Sequence, residues 1–460
     1  MKIEIRPIDQ KKFNAYVGLT RNPVLNLFAQ EIAWYSNQDE SVLGVVLFDN
    51  YDQDYNPLIL GRDEVGRFRA IKVNSSFETF QEAYQWLEAS MRWLSRSDEK
   101  VFPQGDPTEK VDVFAEVVPT ERQHPYFVAL KNEKTLSAAK RMIQEIMPHF
   151  VDIDGNYVQQ FQSTGFDSRL WELYLYCYFN EEQLTLSRTF EAPDYMISNG
   201  EIEVAVEAVI VGRKGDPQYH RLATENPFPE ITQEEVNDKM PIRFGSPLFT
   251  KLSHTNKNKE HYWELPHVVG KPFVIAIHDF HDDHSMSWSH TSLLKYLYGF
   301  DHEWELVDGK LVIHPKKIES HTSGNKVIPS GFFFQPDAEN ISAILTSANG
   351  TISKFNRFGR QAGFGSKDTI MIRHGLRHDH DPNATKPIPF RYQVTEDSNE
   401  SWAEGMNIYH NPIARIKLDP NFFPNAGRHF FSEGQIESHL PDFAPYGSIT
   451  LNIEVKNGEG

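Results

Sequence analysis

Apolar residues gather along this chain into runs of strand length and stripes of helical spacing. Near the N-terminus, Val42-Leu43-Gly44-Val45-Val46-Leu47-Phe48 is a compact apolar run. Asp49-Asn50-Tyr51-Asp52 then supplies turn chemistry. Residues 58–60 and 68–73 predict two further strands. A helix is predicted to begin at Ser76. It carries Phe80, Ala83, Trp86, Leu87 and Met91 at spacings near three and four, which is one apolar face. Residues 1–105 therefore read as an N-terminal α+β domain, with a linker at 103–107.

A second region, 106–300, opens with a predicted strand at 111–118 and a helix at 138–147. An acidic, turn-rich stretch follows at 151–156. From Arg169 to Phe179 the chain is apolar nearly all round, which predicts a buried helix. Short strands are expected at 184–187 and 192–197, with a turn at Ser198-Asn199-Gly200. The segment EVAVEAVIV at 203–211 is β-branched and mostly apolar, as in a strand inside a sheet. Residues 212–245 are rich in Pro and charge and predict loop, and 246–265 predict helix. Residues 271–277 predict another central strand. An aromatic helix over 288–298 should end at Gly299, a natural C′ residue. Helix alternating with apolar strand predicts an α/β core. The remainder, 301–460, holds short strands at 311–313, 341–345, 370–372 and 449–455 between many turns. It reads as a strand- and loop-rich C-terminal region.

Composition narrows the setting. The 460 residues are 39% hydrophobic and 13% aromatic, enough to build cores and to exclude a wholly disordered chain. Lys and Arg number 46 against 64 Asp and Glu, a net charge of −18. Such a balance opposes indiscriminate binding to nucleic acid or anionic membrane. A nucleic-acid enzyme would need a locally basic face. The one cysteine, Cys177, excludes intramolecular disulfides and fits a reducing compartment. The opening MKIEIRPIDQKKF has no apolar signal region, and no apolar run reaches membrane-spanning length. The expected location is the cytoplasm.

Candidate chemistry is densest between 166 and 211. Glu172 falls on the predicted buried helix. Pro193-Asp194 opens a strand, and Glu207 lies in the next one. A carboxylate inside an apolar strand costs free energy unless it is paired or binds a metal. Asp194 and Glu207 on adjacent strands of a hairpin can converge on one cation. Oxygen ligands of this kind suit Mg²⁺ or Mn²⁺, which activate water and offset charge on a phosphate. Each residue also has a plainer explanation: a helix salt bridge from Glu172 to Arg169, a turn at Pro193-Asp194, and a buried pair at Glu207.

Helix with Glu, then Pro-Asp, then a strand bearing Glu resembles the PD-(D/E)XK nuclease superfamily. The motif runs from Glu172 through Pro193-Asp194 to Glu207, about 40 residues, or about 130 with the following helix and strand. The string FDSRLWELYLYCYF with APDY and VEAV also resembles uncharacterised bacterial proteins of that type. The resemblance implies a restriction-endonuclease-like mixed sheet flanked by helices. It implies a metal at Asp194 and Glu207, Glu172 completing the site, and DNA as the partner in bacterial antiviral defence or DNA processing. A second copy of the chain or a partner protein is also compatible with it. The superfamily places a Lys two residues after the second acid, where this chain has Val209. Residues 207 and 209 share one strand face, so the cation must come from elsewhere or the site is inactive. Lys251, among the apolar residues of PLFTKL, is the favoured substitute. Lys259, Arg213 and Lys214 are weaker ones. An inactive nuclease fold kept as a binding scaffold is the rival expectation.

Other clusters compete. His278-Asp279-Phe280-His281-Asp282-Asp283-His284, and His374 with His378, Asp379, His380 and Asp381, carry transition-metal ligand types without a metal-site spacing. Each reads more simply as a polar surface loop. Between 354 and 377, Lys354, Arg357, Arg360, Lys367, Arg373 and Arg377 face Asp368 alone. Phe355, Phe358 and Phe364 interleave with glycines there. Cations among aromatics can grip a phosphate chain and stack bases, so these six are the expected nucleic-acid-binding residues. An ordinary basic segment paired with acids is the alternative.

Overall fold

The computed structural model describes residues 3–105, 110–215, 217–219, 230–347 and 349–455. At its centre an eight-stranded mixed sheet runs, from one edge, through Thr185–Ser187, Tyr195–Ser198, Glu203–Val211, Phe273–Asp279, Ala343–Ser347, Met406–His410, Gly427–Ser432 and Gln435–His439. The first three form an antiparallel meander. Glu203–Val211, Phe273–Asp279 and Ala343–Ser347 are mutually parallel. These parallel strands sit in the middle and are covered on both faces. That explains why their sequences are near-continuous apolar runs.

Alternate residues divide between two cores. Val204, Val206, Val274, Ala276 and Leu345 pack with the helix Phe166–Glu181. Ala205, Val211, Ile275, Ile277 and Ile344 pack with the helices Met240–Ser253 and Ser289–Tyr298. The Trp171 indole N–H donates to the carbonyl of Ala276 at 3.0 Å and fixes its helix to the sheet. Along this part of the chain the order is helix, three strands, helix, strand.

The N-terminal region is a five-stranded antiparallel sheet from Ile5–Pro7 to Phe68–Val73. The helix Phe80–Arg96 covers one face through Ala83, Leu87 and Met91. Gly44 is required there: a Cβ would stand 2.6 Å from the Met91 sulfur. Leu43, Val45 and Phe68, on the other face, join the main core beside the helices Gln10–Val17 and Ser137–Ile146. The expected boundary near 105 therefore divides sheets but not cores.

Four further expectations change. Residues 111–118 form turns, not a strand. The helix expected over 246–265 is Met240–Ser253, which continues from a π-helical turn at Glu235–Lys239, and the chain after Ser253 turns back through Asn256. The predicted loop at 212–245 falls partly outside the described residues, as does the 103–107 linker. The division at 300 does not separate two folds: four strands of the central sheet come from beyond it. What stands apart from that sheet in the C-terminal region is a three-stranded sheet of Thr369–Arg377, Ile388–Gln393 and Pro445–Glu454, with two hairpins. Among the described residues no helix is long and apolar enough to cross a membrane.

Candidate active site

Asp194 and Glu207 meet because their strands pair antiparallel, Tyr195 opposite Val206. The two carboxylates are laced into each other's backbone. The Asp194 amide N–H donates to Glu207 Oε2 at 3.3 Å, and the Ala208 N–H donates to Asp194 Oδ2 at 2.8 Å. Each acid thus keeps one oxygen outside this exchange.

On the face shared by Glu207 and Val209, the last turn of Met240–Ser253 delivers Lys251. Its Nζ donates to Glu207 Oε1. The Tyr262 hydroxyl donates to the same oxygen at 3.0 Å. Val209 packs into the second core and leaves the approach to Glu207 to Lys251. The other cations lie elsewhere. Lys259 occupies a tight turn with positive φ, Lys214 is exposed, and Arg213 bonds Asp167 and Asp283. Sequence reasoning missed Tyr262, whose only signal was its place three residues after Lys259.

Glu172 belongs to the opposite sheet face and takes no hydrogen bond from this group. Arg169 Nη1 grips its two oxygens at 2.8 and 2.9 Å, and Arg188 Nη2 approaches at 3.5 Å. Tyr195 OH donates to the Glu172 carbonyl at 2.7 Å and sets the spacing between helix and strand. Arg188, also missed from sequence, lies between Phe150 and Tyr195 with its guanidinium carbon 4.1 and 4.9 Å from the ring centres.

Electrostatics join the three acids. Burial first, and the Asp194 charge second, push Glu172 and Glu207 each up to about 7; Lys251 opposes the rise at Glu207. Burial also raises Asp194, against the pull of the Ala208 N–H and of Lys251. Desolvation and mutual repulsion thus outweigh the available cations. Asp194 stays in reach of solvent through a cleft of about 320 Å³, walled by Asp152, Asp154, Arg169, Arg188 and Glu191.

This donor set fits a hard divalent cation. Mg²⁺ binds through one or two carboxylates and fills its sphere with waters and phosphate oxygens. Asp194 and Glu207 are such a pair, and their raised proton affinity marks a site short of positive charge. Among the described residues no three His, Cys, Asp or Glu side chains converge as a ready ligand set. Glu172 lies beside the pair, its two oxygens held by Arg169.

The expected nucleic-acid grip is corrected by burial. Lys354 and Arg373 are wholly inside, and Arg357 is 2% exposed. Lys354 and Arg357 close on Glu400 at 2.8 and 2.7 Å, and Arg373 bonds Glu404. Phe355 and Phe364 are buried in the main core. Arg360 donates to the Ser366 carbonyl at 3.2 Å, and Arg377 is half-buried at a strand end. Of the six, Lys367 is exposed. The periodicity that placed cations among aromatics belongs to a buried helix, Ile352–Gln361, and a strand.

Neither histidine cluster gathers three metal-ligand side chains among the described residues. His278 is inside a strand, fully buried edge-on to Trp171, while His281 bonds Asp279 at 2.8 Å. His378 pairs with the Tyr446 hydroxyl, and His380 with the carbonyl of Asp442.

Compared with family models, with curated proteins and with solved structures, this chain matches none.

Proposed function

We propose that the protein is a divalent-metal-dependent nuclease that cleaves phosphodiesters of nucleic acid, with DNA the first substrate to test and defence or DNA processing its setting. One observation carries the reading: Asp194 and Glu207 meet in a buried hairpin with Lys251 on Glu207. This agrees with a PD-(D/E)XK-like site whose cation comes from a neighbouring helix. The helix, three strands, helix and strand around the pair agree with a restriction-endonuclease-like core.

A bound Mg²⁺ or Mn²⁺ would activate water and offset charge on the scissile phosphate. Asp194 and Glu207 would hold it through their carboxylates. Lys251, donating to Glu207 Oε1, keeps that carboxylate aimed and stands ready to pass a proton at the same oxygen. Tyr262 fixes the other approach to Oε1. Glu172 is held by Arg169 and Arg188 beside the pair.

Val209 in the place of the motif Lys favours a second reading, a nuclease fold retained as a scaffold. Purified protein incubated with supercoiled plasmid, linear duplex and single strands, in Mg²⁺, Mn²⁺ or EDTA, separates the two. Cleavage that needs metal supports the nuclease. Metal binding with every substrate intact overturns it and leaves the scaffold.

A further inference from the structure

Two arginines close on Glu172, and they are not equally engaged. Arg169 uses all three of its nitrogens. Nε donates to Gln160 Oε1 at 2.8 Å, Nη1 to both oxygens of Glu172, and Nη2 to Asn156 Oδ1 at 3.3 Å. Arg188 uses one. Its Nη2 approaches Glu172 Oε2 at 3.5 Å, the outer limit of a hydrogen bond. Its Nε and Nη1 are buried and find no hydrogen-bond partner among the described residues. The Arg188 side chain is 10% exposed. Buried donors left unpaired cost free energy and call for an explanation. Neutralising Glu172 does not supply one, because Arg169 already does so with shorter bonds.

The surroundings of Arg188 order it without consuming its donors. Phe150 and Tyr195 hold its guanidinium over their rings. It stands in the wall of the same cleft of about 320 Å³ that reaches Asp194. Strand pairing brings the two together. Arg188 directly follows Thr185–Ser187, and Ser187 lies opposite Met196, two residues past Asp194. Charge balances across this corner: Arg169, Arg188 and Lys251 offset Glu172, Asp194 and Glu207 one for one. A divalent cation on the acid pair would leave the corner two positive charges in excess, which favours an anion. The other acids of the wall do not take up Arg188. Asp152 accepts from the Tyr157 backbone N–H at 3.0 Å, and Asp154 and Glu191 are exposed, where solvent and salt screen them.

We propose that Arg188 binds the non-bridging oxygens of a phosphodiester in this cleft, through the two nitrogens that the fold leaves unpaired. Arginine suits that partner. Its N–H groups are fixed in one plane that matches phosphate oxygens, and its charge strengthens each bond. The inference rests on the nuclease reading for the identity of the ligand. It adds to that reading the residue that recognises the phosphate and shares its charge with the cation on Asp194 and Glu207.

Calorimetric titration of dithymidine monophosphate into the full chain in Mg²⁺ tests this, with thymidine and inorganic phosphate as separate arms. The expected result is saturable one-site binding of the dinucleotide, which thymidine does not reproduce and Arg188→Met weakens at least tenfold. Arg188→Met should keep the unfolding midpoint, because Arg169 retains its grip on Glu172. Arg188→Gln should weaken binding likewise and covers a failure of Arg188→Met to fold. Dinucleotide binding left intact by the folded variant overturns the inference, as does no binding by the wild type at millimolar concentration. Inorganic phosphate bound more tightly than the dinucleotide overturns the assignment to a phosphodiester. Plasmid cleavage separates this inference from the nuclease reading. Metal-dependent cleavage whose kcat and KM are unchanged in Arg188→Met removes Arg188 alone. Dinucleotide binding that depends on Arg188, with plasmid intact, supports the phosphate site and removes the nuclease alone.

Discussion

Two buried acids, Glu400 and Glu207, show opposite electrostatic designs. Glu400 is surrounded by Lys354, Arg357 and Arg373, and its carboxyl is held well below the ordinary range, Arg357 being the strongest of the three pulls against burial. Glu207 has Lys251 and a tyrosine hydroxyl, with Asp194 beside it, and is pushed up to about 7. Both acids are nearly inaccessible, so burial alone does not separate them. The number of cations does. Where positive charge exceeds negative, the cluster fastens the helix Ile352–Gln361 to the chain around 400. Where burial and a neighbouring acid outweigh the bonded cation, the protein carries an energetic cost that a ligand of positive charge would relieve, as functional sites do.

The largest effect should come from breaking the compensated cluster. Glu400→Gln leaves Lys354 and Arg357 inside without their counter-charge, Arg373 keeping Glu404, and should cost about 3–5 kcal/mol in urea unfolding. Glu207→Gln in the same assay should be neutral or stabilising, because it removes an acid that the fold holds at a loss. Equal destabilisation by both would erase the distinction.

Next in size is Lys251→Met. It takes the one close cation from Glu207 and should lower cleavage by about 10²-fold, with the fold retained by circular dichroism. Cleavage at the wild-type rate would remove Lys251 from the chemistry.

A smaller effect lies in pH dependence, and its sign differs between the two acids. Glu207 binds its proton more tightly folded than unfolded, where its value is near 4.5. Its contribution to stability is fully present below about 4.5 and is lost as pH rises through about 7. Glu400 is depressed, so its contribution is present above 4.5 and is lost as pH falls through its folded value. Urea unfolding between pH 5 and 8 should therefore show a declining component that Glu207→Gln removes and Glu400→Gln leaves in place.

The same contrast explains what could be read from sequence. Glu207 was legible because an acid inside VAVEAVIV has no benign surroundings within its own strand. Asp194 followed from hairpin spacing. Lys251 followed from the gap at Val209 and from apolar neighbours that carry it inward. These are local patterns of alternation and burial. The cluster around Glu400 was not legible, because its cations at 354–373 meet acids at 400 and 404 that no spacing rule connects to them. A run of exposed cations and a run of buried, neutralised ones look alike until the partner segment is placed. The strands beyond 300 misled for a similar reason. Short strands between turns do not reveal which sheet they join, and Ala343–Ser347 pairs with Phe273–Asp279 across some 70 residues.

The central claim is that Asp194 and Glu207 form an acid pair short of positive charge and suited to a divalent cation. Calorimetric titration of Mn²⁺ into the wild type and into Asp194→Ala/Glu207→Ala at pH 8 tests it most directly. One saturable site in the wild type and none in the double variant is the predicted result. Equal Mn²⁺ binding by both proteins, or none by either, would contradict it.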